Sequence, residues 1–461
     1  MTARRSLAQL RDDALAIWQA GVTAVRSDRL VRANVRVEGD QLHIADEVFP
    51  LADIERIAIV GGGKAGAGMA RGIEEALGPR LLFEKRVSGW VNVPADCVRP
   101  LACVTLHPAR PAGQNEPTDQ GIVGTNKIIE LVASLGPRDL CICLISGGGS
   151  ALLPAPVEGV SLADKQALTR FLSGAGANIR ELNTVRKPLS RIKGGGLARA
   201  CRAGSLISLI ISDVLGDPLD IVASGPTIVE SSSPVEALAV LERFDSQRSN
   251  VPLSIYRVLE SSQAIAQPEP TCRVVNEVIG NLAVAVDAAG IEAERRGYSH
   301  AMLVARELEG AADDIGRHLA KMALLMRSTD GPDCLITGGE PVVPLAPENE
   351  RGLGGRNQQL VLAALDEWKQ RGASGEGIVL LSGGTDGEDG PTDAAGAIID
   401  ATSLKQSQRL GLDMAEDLRR NNAYRFFDVC GGLIKTGPTN TNVCDVRVVV
   451  VDRIQTEREV S

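Results

Sequence analysis

A lysine stands inside a glycine-rich turn near the start of the chain. The apolar run Ile57-Ala58-Ile59-Val60 leads into Gly61-Gly62-Gly63-Lys64-Ala65-Gly66, and a helical pattern follows. Glycines let backbone N–H groups approach an anion, a helix start adds positive potential, and Lys64 adds a full charge. The turn contains G-x-G-x-x-G, which alone is a weak dinucleotide signal. The lysine within it counts against a nicotinamide site, as does the lack of an acidic residue ending the next predicted strand, residues 87–93. Ala65 after the lysine excludes a Walker A loop, which needs Ser or Thr there. The plainer alternative is a surface lysine on an ordinary turn.

Other segments carry comparable chemistry. Residues 183–196 hold Asn183, Arg186, Lys187, Arg191 and Lys193 ahead of three glycines. In a chain of formal charge −9 this is a local positive field suited to phosphate or carboxylate, unless it is a solvated helix face. Asp213 follows the apolar run 206–211. A carboxylate at a strand end can hold Mg²⁺ or take a hydroxyl proton, and can equally cap a helix. Arg356 follows Gly354-Gly355 at the start of an apolar-periodic helix. There it can clamp a transferring phosphoryl group, or pair structurally with Glu340. Asp386, Glu388, Asp389 and Asp393 surround two glycines without an EF-hand spacing. The polar stretch 435–442, with Asn440, can bind ligand or make turns.

One arrangement recurs. An apolar run ends in Ser or Thr followed by glycines: Ser146-Gly147-Gly148-Gly149-Ser150, Thr337-Gly338-Gly339-Glu340, and Ser382-Gly383-Gly384-Thr385-Asp386-Gly387. In open parallel sheets, ligands bind beyond the carboxyl ends of strands, so the three loops suggest one extended polyanion site. Three unrelated strand-to-helix turns are the alternative.

The elements that must position these residues read as an α/β chain. Helical spacing runs from Leu7 to Val25, and a hairpin is expected to turn near Gly39-Asp40. Strands are expected at residues 56–60, 87–93, 102–106, 140–145 and 206–211, then at 272–275, 301–304, 334–337, 378–381 and 446–451. Helical stretches at 119–134, 161–173, 282–295 and 313–326 lie between them. Such alternation predicts mostly parallel sheets covered by helices. With 461 residues, two or three domains are expected, and Gln267-Pro268-Glu269-Pro270 is the candidate boundary, giving domains 1–268 and 271–461, with an ordinary long loop within one domain as the alternative. The acidic balance argues against nucleic-acid binding. Nine scattered cysteines without C-x-x-C, four histidines without metal spacing and no membrane-length apolar run lead to the expectation of a cytoplasmic protein with reduced thiols.

Taken in order, the Gly61–Lys64 turn, residues 146–150, 183–187 with 193–195, 212–214 with 224–226, 337–340, 354–357, 385–387 and 439–442 resemble the glycerate 2-kinase family with its MOFRL-type C-terminal region. The resemblance spans nearly the whole chain. It implies two α/β domains with the active site in the cleft between them. It implies ATP-dependent phosphorylation of D-glycerate at the 2-hydroxyl, with Mg²⁺. The family's catalytic lysine, arginine and acid match Lys64, Arg356 and Asp213. The binding set would be Gly61, Gly62, Gly63, Ser146, Gly147, Gly148, Ser150, Asn183, Arg186, Lys187, Lys193, Gly338, Glu340, Thr385, Asp386 and Asn440, with Asp213 and Asp386 as metal ligands. A monomer or homodimer acting on a small molecule, with no membrane or nucleic-acid partner, is expected. The competing readings are a nicotinamide-dependent reductase of a small hydroxy or keto acid, and a non-catalytic sugar-acid-binding protein.

Overall fold

The structure is a computed structural model, and it describes residues 5–114, 116–229, 233–262 and 268–454. The chain divides into two compact units, Ser27–Gly280 and Met1–Arg26 together with Asn281–Ser461. Among the described residues no helix is long and apolar enough to cross a membrane.

The first unit opens with an antiparallel meander of β1 (Val35–Glu38), β2 (Gln41–Ile44) and β3 (Glu47–Pro50). Its first turn falls at the expected place, with Gly39 at φ +61°. A six-stranded sheet follows, built from β4 (Arg56–Gly62), β5 (Ser88–Pro94), β6 (Val104–Arg110), β7 (Asp139–Ile145), β8 (Ser205–Ile211) and β9 (Arg273–Gly280). Its order is β6-β5-β4-β7-β8-β9 and every pairing is parallel. β7 is buried along its whole length, which is why it reads as an unbroken apolar run. The chain leaves β4 toward β5 and β6, then returns to place β7 on β4's other side. That reversal is a topological switch point, where an open α/β sheet offers a crevice for ligand.

The second unit holds β10 (His300–Val304), β11 (Cys334–Gly339), β12 (Ile378–Gly384), β13 (Gly396–Ile399), β14 (Leu433–Ile434) and β15 (Asp445–Val451). They lie in the order β10-β11-β15-β12-β13-β14. The helix Arg356–Gln370 is buried on all sides, from Leu360 through Trp368. It crosses the helix Ala312–Ser328 closely, because a Cβ on Gly316 would lie 2.1 Å from the Leu360 carbonyl oxygen. The N-terminal helix Leu7–Ala24 belongs to this unit. Trp18 Nε1 donates to the Gly383 carbonyl at 3.2 Å, and Gly21 lets the helix approach Ala285.

Two expectations change. The division of the chain falls at 26/27 and 280/281 rather than at 268–270, because β9 pairs with β8 while the first helix packs against the second unit. Mostly parallel pairing holds throughout the first sheet, whereas the second sheet is mixed. β15 runs antiparallel between β11 and β12, and β13 is antiparallel to both its neighbours. A fully buried strand is apolar on both faces whichever way its neighbours run, so the sequence pattern reports burial and not direction.

Candidate active site

In the first unit the chemistry-bearing loops follow β4, β7 and β8, with the two strands of the switch point supplying the first pair. Their glycines are dictated by close approach. Gly61 has φ +145°, and a Cβ there would lie 2.0 Å from the Leu144 carbonyl oxygen. Gly63 has φ +157°, and its Cβ would meet Ser146 Oγ at 2.0 Å. The amides around Lys64 are taken: Gly63 N–H donates to the Asn92 carbonyl at 3.2 Å, Lys64 N–H to that of Gly147 at 2.8 Å, and Ala65 N–H to Ser146 Oγ at 3.0 Å. The turn therefore locks two strand ends together and holds Lys64 beside the β7 loop. By contrast, the amides of Gly147 and Gly148 have no acceptor among the described residues. Gly148, at φ +74°, precedes the short helix Gly149–Leu152. Asp213, after β8, stands against Gly147, where a Cβ would be 2.1 Å from its Oδ2.

A second group of side chains gathers beside this loop. The helix Ile179–Arg186 is capped by Asn178 and Glu181 and carries Asn183 and Arg186. Arg186 Nη2 donates to Ser150 Oγ at 2.7 Å, and Lys193 Nζ donates to the same oxygen at 2.6 Å and to the Ser150 carbonyl at 3.0 Å. Ser150 Oγ lies 2.8 Å from Ser224 Oγ, which donates to Asn183 Oδ1 at 3.0 Å. Two donors already point at Ser150 Oγ, so its own proton goes to Ser224. The relay ends at Asn183, whose Nδ2 is buried without an acceptor. Ser224 and its neighbour Ala223 adopt left-handed backbone, at φ +63° and +51°, an uncommon conformation for residues other than glycine and one found where function holds strain.

The electrostatics of this group are one-sided. Lys187 pairs with Asp220 at 3.5 Å. Among the described residues neither Arg186 nor Lys193 has a carboxylate partner. Burial, then Arg186, Lys165 and Lys187, hold the Lys193 ammonium well below the usual lysine range. Burial likewise lowers Arg186. Lys165 completes the set, pushed down to about 7 by burial and then by Arg186. Buried cations without carboxylates call for an anion to neutralise them.

In the second unit the expected residues are placed differently. Arg356 begins its helix and makes a two-pronged contact with Asp445, Nε to Oδ2 at 2.6 Å and Nη2 to Oδ1 at 3.1 Å. Its Nη1 donates to Glu340 at 2.8 Å. Burial opposes the guanidinium charge, but Asp445 and Glu340 outweigh it and the net shift is upward. Gly355 cannot cap this helix with a side chain, so Asp389 does so, accepting from the amides of Asn357 at 3.0 Å and Gln358 at 2.8 Å. Burial pushes Asp389 up to about 7. Asp393 instead meets Lys435 and Tyr424, so the acidic residues 386–393 do not gather at one point. Asp386 accepts from the Glu388 amide at 3.1 Å. Thr385 is buried and bonds to the Cys444 carbonyl and the Val443 amide, a turn-forming role. Asn440 takes φ +61° in the following loop. Gly338 is where Leu282 and Val286 pack against β11.

Sequence reasoning missed Lys165, Asp445 and the capping role of Asp389. Lys165 did leave a signal. It shares a helical face with Leu168 and Leu172, three and seven residues on, and all three are buried.

An α/β protein whose parallel sheet presents a glycine turn, a serine relay and buried cations that lack carboxylate partners among the described residues is an anion-handling enzyme by class. The model for the "Domain of unknown function (DUF4147)" matches residues 13–260, and that of the MOFRL family matches residues 333–445. A D-glycerate 2-kinase of Thermotoga maritima is 35% identical over 446 residues, covering 96% of this chain and 98% of its own. The glycerate kinase of Homo sapiens is 35% identical, covering 95% and 93%. Among solved structures, the glycerate kinase of Thermotoga maritima has a TM-score of 0.81 at 34% identity, covering 96% of this chain and 99% of that one. The chain belongs to the glycerate 2-kinase family.

Proposed function

We propose that this protein transfers the γ-phosphoryl group of ATP to the 2-hydroxyl of D-glycerate. The observation that carries the reading is the set of buried cations lacking carboxylate partners, placed beside Gly147, Gly148 and Asp213 at the sheet's switch point. Phosphoryl transfer asks mainly for positioning and charge neutralisation, and these residues offer both. Lys64 and the amides of Gly147 and Gly148 neutralise phosphate oxygens. Arg186, Lys193 and the Asn183 amide hold the substrate carboxylate. Asp213 accepts or orients the proton of the attacking hydroxyl. Arg356 stabilises charge on the transferring phosphoryl group, and its carboxylate partners set its orientation.

The family implies a magnesium ion, and the residues present fit one. Mg²⁺ is bound through one or two carboxylates plus substrate phosphates and water. Asp213, whose carboxylate fills the space a side chain at Gly147 would occupy, suits that role, with Asp386 the candidate in the second unit. Bound there, the cation would neutralise phosphate charge. The nicotinamide alternative loses its support, since the amides of Gly63, Lys64 and Ala65 are already engaged.

The test is a coupled assay with ATP, Mg²⁺ and D-glycerate. The product is expected to feed enolase directly. A requirement for phosphoglycerate mutase would mean that the 3-hydroxyl is phosphorylated. Efficient turnover of glycerol would remove the carboxylate clamp.

A further inference from the structure

We propose that Lys165 is a fourth cation of the anion site, positioning the segment from Lys187 to Lys193 and setting affinity for the acidic end of the substrate. The inference rests on the reading that this cluster receives a carboxylate. Lys165 is 7% exposed and sits on the helix Leu162–Gly174, against a small core that includes Leu168, Leu172, Val185 and Leu189. Its Nζ donates to the Leu189 carbonyl at 2.9 Å.

That bond does not by itself account for a buried charge. The Leu189 carbonyl also accepts from the Val157 amide at 3.3 Å, so it is satisfied without the lysine. The segment is further tied down by the bridge between Pro156 and Ser190 and by Arg191 N–H to the Ala155 carbonyl at 2.8 Å. A neutral side chain would pack at position 165 at lower electrostatic cost. Among the described residues no carboxylate pairs with the ammonium. What it does face is more positive charge: Arg186 depresses it, and it in turn depresses Lys193. Beside them lies the orphaned Asn183 Nδ2, a buried donor with nothing to donate to. Three cations without carboxylate partners among the described residues, Lys165, Arg186 and Lys193, and a spare amide are neutralised together by one arriving anion. Lys165 acts on it through field and through the carbonyl of Leu189, not by replacing Arg186 or Lys193.

The experiment compares wild type, Lys165→Met and Lys165→Arg in the full chain. Steady-state constants are measured for D-glycerate and ATP, and thermal protection is titrated with inorganic phosphate. For Lys165→Met, KM for D-glycerate is expected to rise about tenfold, the loss of one buried charge acting on the anion at short range, with KM for ATP and kcat held within about twofold. Lys165→Arg keeps the charge and is expected to restore most of that affinity. The phosphate midpoint should move with the D-glycerate KM. An unchanged D-glycerate KM in Lys165→Met overturns the proposal. So does a fall in kcat and melting temperature that Lys165→Arg shares. A wild type inert toward D-glycerate would sink the kinase reading, and the phosphate titration would still decide Lys165. Equal protection of wild type and Lys165→Met would refute its part in the site.

Discussion

Replacing Lys193 with methionine separates binding from stability. The lysine is 3% exposed and donates to the Ser150 carbonyl, to Ser150 Oγ and, at 3.3 Å, to Ser224 Oγ. Methionine keeps most of the volume and removes the charge. Ser150 Oγ retains Arg186 as donor, so the lost hydrogen bonding amounts to about 1–2 kcal/mol. Against this, the change relieves repulsion with Arg186, Lys165 and Lys187. The net effect on stability should stay within about 1–2 kcal/mol, or a few degrees of melting temperature for a unit of this size. Binding has no such compensation. A lost charge-assisted contact to the substrate is worth about 1.5–3 kcal/mol, roughly tenfold to a hundredfold in kcat/KM for D-glycerate. The pH dependence has a definite sign. Folding lowers the pKa of Lys193 and Lys165, so above the folded values and below 10.5 the unfolded chain holds protons that the folded chain has released. Stability therefore rises with pH across that window, which for Lys165 opens at about 7. The rise should be smaller in Lys193→Met. Thermal melts at pH 7 and 10, with kinetics at pH 7, read all three quantities. A kcat/KM equal to wild type, or a melting temperature lower by ten degrees or more (about 3 kcal/mol), would refute the reasoning.

Substitutions at three further positions have expected outcomes. Lys64→Met should lower kcat by about 10²–10³ with a far smaller effect on the melting temperature, since it removes a charge at the phosphate from a half-buried position; a near-normal kcat would exclude Lys64 from the phosphate site. Gly147→Ala places a methyl 2.1 Å from Asp213 Oδ2, so the carboxylate must swing away and kcat should fall while stability changes little; full activity would show that Asp213 is not needed where it stands. Arg356→Ala strands the buried carboxylate of Asp445 and should cost about 3–5 kcal/mol of stability. Arg356→Lys should retain more stability yet lose nearly as much kcat, measured well below both melting temperatures, because an ammonium cannot make the two-pronged contact. Wild-type kcat in the lysine variant would exclude a guanidinium-specific role.

The sequence by itself determined the elements and the chemical inventory. Apolar runs such as residues 140–145 and 206–211 read as buried strands, helical periodicity marked Leu7–Ala24, and glycines after strand patterns marked β4, β7, β11 and β12. These signals are local, set by backbone geometry and the period of burial, and so they are readable along the chain. Tertiary structure decided the rest. Strand direction in the second sheet depends on which strands come to lie side by side, and the packing of the first helix with the C-terminal half depends on partners more than two hundred residues away. The Gly61–Gly63 amides look available to an anion in the sequence, yet Asn92 takes the last of them, while those of Gly147 and Gly148 have no acceptor among the described residues. Arg356 carries the same charge wherever it stands; only folding sets Asp445 and Glu340 against it. Lys165 reads as one more polar residue on an amphipathic helix until the fold closes over it. Burial near Arg186 and Lys193 is a property of contacts between distant segments, and one-dimensional spacing carries no record of which charges will share a low-dielectric interior.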